Sequence, residues 1–382
     1  MRAIAEAGGP ADFVYDPENF LLRRPETFAN LGNTYQAYQA ARGELRERVL
    51  HNFAAAFSSS SSDIPTNFDE VRDKLVAVVR EQFFLNVTRG GQIWQLPAPT
   101  DTKSHAVSEP LTRWFAKALV IDFPTHVMVV NESHLKDWGV TFDEAFALGL
   151  ERLKDATMPK FRHEGGVYAG TWNDDFDSSR VLIPSLFDDL PLKGDPVVCL
   201  PNRLTLLVAG SDEPEAIKAM LQQAEEIVRT VAKPQNPAPL VIRDGYVFDY
   251  EVEPDSPVFQ AVQRARGVAA LAVYDEQKAN LERIYKENGK DLYVAEFILG
   301  QDKDGKYTSH AVWSKGVRML LPRADVVMFF DEEKAEPERV LAHVPWSRVE
   351  AVMGEAMLDT KMFPERYFVS DFPSEEQLER LR

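Results

Sequence analysis

The chain has 382 residues, 45% apolar and 27% charged, the balance of a folded globular protein and not of a disordered one. Its 43 Lys and Arg against 60 Asp and Glu leave a net charge of −17, which repels phosphate backbones and anionic membranes and so excludes nucleic acid and membrane as expected partners. A single cysteine, Cys199, excludes an internal disulfide and a cysteine-rich zinc site.

"MRAIAEAGGPADF" has no apolar core of signal-peptide length, and no run of about 18 apolar residues occurs in the chain, so the expected location is cytoplasmic. "NTYQAYQAARGELRERVLHNFAAAF" is the first predicted helix, with Tyr38, Leu45, Val49, Phe53 and Phe57 at roughly helical spacing. Ser58 to Ser62 reads as a flexible linker. "FDEVRDKLVAVVREQFF" is predicted as a second helix, and "QLPAPTDTKSHAVSEP" as a loop. From about residue 111 strands and helices alternate. "HVMVV" is a strand, and Thr141 with Glu144 caps the helix "FDEAFALGLERLKDA". "GGVYAGTWNDDFDSSRVLIP" is a predicted hairpin and "PVVCLPNRLTLLVAG" a strand, in which Cys199 is expected to be buried and inert. "DEPEAIKAMLQQAEEIVRTVA" is an amphipathic helix, and "KPQNPAPL", with three prolines in eight positions, is the expected domain boundary.

The second half opens on "LVIRDGYVFDYEVEP", a hairpin turning at Asp244-Gly245. Ser256 and Pro257 start a long helix, with a break at Gly267 considered and a stop at Asn288-Gly289. Further strands follow, then the helix "WSRVEAVMGEAML" and a last one capped by Ser374 and Gln377. "GQDKDGKYTSH" has the two glycines and the lysine of a phosphate-binding loop, yet Tyr307 follows Lys306 and Asp302 and Asp304 stand where phosphate oxygens would go. It is read as a hairpin turn. The succession of acidic turn, Ser-containing segment, Leu-Pro, Arg and apolar strand occurs at both "TWNDDFDSSRVLIP…CLPNRLTLLVA" and "GQDKDGKYTSHAVW…LLPRADVVMFF", which suggests two related modules.

Few residues carry a chemical signature. Asp174, Asp175 and Asp177 could offer oxygen ligands to a hard cation, but Arg180 and Leu186 stand at the sixth and twelfth positions from Asp175, where an EF-hand needs Gly and Glu. A solvated turn is the alternative. The seven histidines form no His-x-x-x-His pair, and neither Gly-x-Ser-x-Gly nor Gly-x-Gly-x-x-Gly occurs, so no hydrolase elbow, dinucleotide fingerprint or cofactor is indicated. Trp172, Arg180, Asn202 and Arg203 are the candidate ligand or partner contacts, with a structural ion pair as the alternative for Arg203.

On "HLKDWGVTFDEAFALGLERLK", "NDDFDSSRVLIP" and "PVVCLPNRLTLLVAG", covering about residues 111 to 232, the chain resembles the bacterial YtpQ-like family. Leu204 follows Arg203 where that family has an acidic residue. The resemblance implies a cytoplasmic bacterial α+β protein and no catalytic residue. The expected architecture is a helical N-terminal segment over residues 1–62, followed by two α+β modules with antiparallel hairpins over 63–235 and 236–382. The expected function is a non-catalytic accessory or regulatory factor with a protein partner. The alternative is a divalent-metal-dependent hydrolase or transferase using residues 174–177.

Overall fold

The computed structural model describes residues 2–6, 12–17, 21–24, 27–31, 34–35, 38–39, 41–58, 65–88, 106–123, 127–230, 234–303 and 305–382. The Ser59 to Ser62 linker, most of the loop before Ala106, and Asp304 lie outside these residues. The architecture is α+β, and the chain divides into two compact units. The first comprises Met1–Glu81, Lys103–Asn236 and Leu240–Phe248; the second comprises Gln82–Thr102, Pro237–Pro239 and Asp249–Arg382.

The N-terminal part is not purely helical as expected. Helix α1 (Arg2–Glu6) precedes strands β1 (Val14–Asp16), β2 (Leu21–Arg24) and β3 (Thr27–Asn30), an antiparallel three-stranded sheet, and then helix α2 (Glu44–Ser58). Ile4, Phe13, Leu22 and Ala54 form its small core. Helix α2 starts later than the periodicity suggests because Gly43, at φ +58°, breaks the helical path behind Tyr38.

The second predicted helix is overturned. Residues 68–70 and 72–74 are 3-10 turns, Leu75–Glu81 is strand β4, and Gln82–Thr88 is helix α3. Val76, Val78 and Val79 are β-branched and fully buried, which favours a strand covered on both faces over a helix with one wet face. Strands β5 (Ser108–Pro110), β6 (Phe115–Asp122) and β7 (Val127–Val129) complete its antiparallel sheet in the order β4-β6-β5, with β7 also paired to β6. Helices α4 (Glu132–Trp138) and α5 (Phe142–Asp155) cover it, and the Thr141 and Glu144 capping box is present. Leu75, Leu119, Ile121, Leu135, Trp138 and Ala145 form the core beneath them.

Helix α5 packs very closely on β4. A Cβ at Gly149 would sit 2.7 Å from the Ala77 backbone nitrogen and 3.0 Å from the Val76 carbonyl carbon. Alanine ordinarily gains about 1 kcal/mol over glycine inside a helix. Here the strand backbone would have to move, so Gly149→Ala is expected to lose about 1–3 kcal/mol in urea denaturation. A variant as stable as the wild type would sink this account of the packing.

The first unit's third sheet has six strands. Strands β8 (Phe161–Glu164) and β9 (Val167–Gly170) form a hairpin turning at Gly165 and Gly166, both at positive φ, so the predicted hairpin turns earlier than expected. The acidic stretch beyond it is a loop leading into a 3-10 helix over Asp177–Leu182. "PVVCLPNRLTLLVAG" is two strands, β10 (Pro196–Asn202) and β11 (Thr205–Gly210), reversing at Arg203 and Leu204. Helix α6 (Pro214–Thr230) buries Ile217, Met220, Leu221 and Ala224. The proline-rich stretch expected as the domain boundary forms strand β12 (Pro234–Arg243), which pairs with β10 and continues through Asp244-Gly245, both at positive φ, into β13 (Tyr246–Asp249).

In the second unit helix α7 (Phe259–Glu287) runs unbroken through Gly267, where a Cβ would meet the Leu299 side chain at 2.5 Å, and stops at Asn288-Gly289. Two four-stranded sheets follow. Strands β14 (Tyr293–Val294), β17 (Met319–Pro322), β20 (Leu358–Asp359) and β21 (Arg366–Val369) form one; β15 (Ile298–Gln301), β16 (Tyr307–Ser314), β18 (Val326–Phe330) and β19 (Val340–Pro345) form the other. The antiparallel β15–β16 hairpin turns with Gly305 at φ +83°, as a turn and not a phosphate loop. Helices α8 (Trp346–Met353) and α9 (Glu375–Leu381) end the unit, α9 with its Ser374 and Gln377 capping box.

The suggested repeat does not survive. "DSSRVL" is a 3-10 helix where "YTSHAVWS" is strand β16, and "CLPNRLTLLVA" is one hairpin where "LLPRADVVMFF" divides between two sheets.

Candidate functional site: a buried polar junction in the first unit

The loop before the 3-10 helix is held from inside. Asn173 and Asp175 take φ of +56° and +68°, a region that Asn and Asp tolerate better than most residues. Asp177, fully buried, accepts the N–H groups of Trp172 at 3.1 Å and Asn173 at 3.2 Å on Oδ1, and that of Asp174 at 3.3 Å on Oδ2. Burial pushes its pKa up, against the pull of those amides.

Arg180 is also fully buried. Its Nη1 and Nη2 donate to Asp174 Oδ1 and Oδ2 at 2.8 and 2.6 Å, its Nε donates to Thr157 Oγ1 at 3.0 Å, and its guanidinium lies 4.4 Å from the centre of the Trp172 ring. The Trp172 indole N–H donates in turn to the Met158 carbonyl at 2.8 Å. Burial raises the Asp174 pKa, but the Arg180 hydrogen bonds and charge outweigh it and hold the carboxyl below the usual range. Trp172, Asp174, Asp177 and Arg180 are thus one hydrogen-bonded network, buried at Asp177 and Arg180 and exposed along Asn173, Asp174 and Asp175.

Three more segments converge here. Ser179 Oγ accepts the Val79 N–H at 3.1 Å, satisfying the free edge of β4. The Ser178 N–H donates to the Arg203 carbonyl at 3.2 Å, and Asn202 Oδ1 accepts the Leu204 N–H at 3.0 Å, closing the β10–β11 turn. Asn236 Nδ2 donates to Glu81 Oε1 at 3.1 Å. Arg203 is half-buried at the tip of this turn; burial lowers its pKa and Asp175 opposes that.

Arg80, on β4, is 4% exposed and donates from Nη1 to the Val79 carbonyl at 2.8 Å. Burial lowers its pKa well below the ordinary value, Arg203 lowers it further, and Asp175 opposes both. Of the twelve buried polar or charged side chains among the described residues, eight lie here: Arg80, Asp177, Ser178, Ser179, Arg180, Asn202, Gln235 and Asn236. No functional signal marks Arg80, Gln235 or Asn236 in the sequence, because their segments read as a helix and a domain boundary.

The three aspartates do not present themselves as a cation site. Asp174 faces Arg180, Asp177 faces backbone amides, and among the described residues no group of three or more His, Cys, Asp or Glu is arranged to hold a metal. Cys199 is fully buried, and desolvation pushes its thiol pKa far up, which leaves it inert. Among the described residues no helix is long and apolar enough to cross a membrane. Comparison with protein-family models, with curated proteins and with solved structures found no match to this chain.

Proposed function

We propose that this protein acts by binding and not by chemistry, as an accessory or regulatory factor that works with a protein partner, and that its ligand site is the polar junction of the first unit. The observation that carries this reading is the state of the charges there. The junction's most acidic loop spends Asp174 on Arg180 and Asp177 on backbone amides, an arrangement that fixes shape and leaves neither carboxylate posed against a nucleophile or a metal. A YtpQ-like kinship over residues 111 to 232, a bacterial origin and a cytoplasmic location belong to the same proposal.

Thermal unfolding with and without Mg²⁺, Mn²⁺ or Ca²⁺ tests it. A ligand at a hundredfold its dissociation constant adds about 2.7 kcal/mol of stability, so a resident metal site is readily seen. The expected result is an unchanged midpoint. A rise that Asp175→Asn abolishes would overturn the proposal in favour of a metal-dependent hydrolase or transferase.

A further inference from the structure

In the second unit, one face of the β15-β16-β18-β19 sheet is core: Ala311, Trp313, Val327 and Phe329 are at most 1% exposed. The alternate residues on its other face are half-buried, and such a face is ordinarily polar. Here it is not. Val312 pairs with Met328, Ser314 with Phe330, and Phe330 with Val340, so four apolar side chains adjoin one serine across three strands. Met328 is the adaptable member, since an unbranched thioether fits guests of irregular shape.

The segment joining β14 to β15 borders this face, and the two share a cavity of about 420 Å³, within the range of about 300–1,000 Å³ usual for small-molecule sites. That segment contributes Tyr293, Glu296 and Ile298 to the lining, and of all the lining residues Glu296 alone is charged. Its carboxylate has no hydrogen bond among the described residues. Lys278 donates to Glu282 Oε1 at 2.6 Å and stands 3.7 Å from Glu296, beyond hydrogen-bond distance. Asp275 is a further carboxylate of this group; burial and then Glu296 raise its pKa, against Lys278 and Arg366. Arg366 acts from the core, with its donors spent on Gln277 and backbone carbonyls. The cations next in sequence to lining residues are engaged as well: Lys315 with Asp331 and Glu333, Arg339 with Glu336 and the Lys334 carbonyl, and Arg318 over the Phe368 ring. The cavity therefore carries a surplus of negative charge beside an apolar wall.

We infer that this cavity binds a small organic cation, an ammonium group on a short apolar chain, with the ammonium at Glu296 and Tyr293 and the chain on Val312, Met328 and Phe330. The site lies in the second unit and goes beyond the junction proposed for the first. A carboxylate beside an aromatic ring suits an alkylammonium, whose charge is drawn to both, and the chain gains from leaving water against the sheet. A neutral apolar guest would strip water from Glu296 and give it no partner, and an anion would be repelled by it. The net charge of −17 favours the approach of a cation in the same sense.

The test is titration of the full chain with hexyltrimethylammonium, 1-hexanol and hexanoate, which share a chain length and differ in charge, at matched ionic strength and followed by ligand-observed NMR. Saturable one-to-one binding is expected in that order, with the ammonium about fivefold tighter than the alcohol. Glu296→Gln, a change at an exposed side chain, should bring the ammonium to within about twofold of the alcohol and leave the alcohol itself unchanged. Tyr293→Leu should weaken the ammonium a few-fold. Val312→Phe, which fills the cavity, should abolish binding of all three with circular dichroism unchanged; if that variant does not fold, Glu296→Gln carries the result. Absence of saturable ammonium binding, hexanoate binding as tightly, or an unaltered preference in Glu296→Gln overturns the site. So does sedimentation showing a dimer that Val312→Phe splits, because a second copy would then cover the face.

Discussion

Asp174→Ala is expected to destabilise the first unit by about 2–4 kcal/mol, read as a lowered free energy of unfolding in urea. The cause is Arg180, whose side chain is fully buried and whose two terminal nitrogens both end on Asp174. Without that carboxylate the cation keeps the Thr157 hydroxyl and the Trp172 ring alone. Breaking one side of a buried ion pair costs about 3–5 kcal/mol, and the lower range here allows for Asp174 being 39% exposed, so that water takes part of its place. The double variant Asp174→Ala, Arg180→Met should recover part of the loss, because no uncompensated charge remains. A single variant within about 0.5 kcal/mol of wild type would remove the pair from any structural role.

The same pair sets a pH dependence with a definite sign. Burial raises the Asp174 pKa and Arg180 more than reverses it, so the folded value is depressed. A depressed carboxyl contributes its stability above the unfolded value and loses it as pH falls through the folded one. The gap between wild type and Asp174→Ala should therefore be full above about pH 4 and close below it. Asp177 runs the other way: burial raises its pKa, so its ionised form is the costly one and protonation relieves it.

What the sequence made legible was local. The capping boxes at Thr141 and Ser374, the Asp244-Gly245 turn and the Asn288-Gly289 stop each depend on two to four neighbouring residues, and each is present. Strand β4 was missed because Val71, Leu75 and Val78 satisfy helical spacing, while burial on both faces removes the alternation that marks a strand. That error hid Arg80, which a surface helix would hold in solvent. The β10–β11 turn at Arg203 and Leu204 contains no glycine, so its only sign was Asn202 ahead of it. In the site, Trp172, Asp174, Asp177 and Arg180 were named from composition, but their union was not readable. The contact between Val79 and Ser179 joins residues a hundred positions apart, and nothing in either segment announces the other.

Arg366→Met is expected to be the most damaging change in the second unit, costing about 3–5 kcal/mol. Arg366 opens β21 with no exposed surface, and its donors bind segments distant in sequence: Gln277 Oε1 and the Tyr274 carbonyl on α7, the Ala295 carbonyl after β14 at 2.7 Å, and the Leu320 carbonyl on β17 at 3.0 Å. The guanidinium also lies 5.2 Å from the centre of the Tyr274 ring, while the Tyr274 hydroxyl donates to the Glu365 carbonyl at 2.8 Å. Burial lowers the Arg366 pKa to about 10, which leaves it charged at neutral pH. Replacing a buried ion pair by apolar residues can be neutral when both partners are replaced together. Three of the four acceptors are backbone carbonyls, which no substitution removes; the Leu320 carbonyl keeps the Ala295 N–H, but methionine takes this donor from buried Gln277 Oε1 and the buried Ala295 carbonyl at about 1–3 kcal/mol each before relaxation. Arg366→Lys tests the geometry apart from the charge. One ammonium group cannot span Gln277, Ala295 and Leu320 at once, so it should recover less than half of the loss. Hydrogen exchange in both variants should show β17 and β21 opening early while β10 and β11 of the first unit keep their protection. A lysine variant as stable as the wild type would mean that the site requires a positive charge and not the arginine fork.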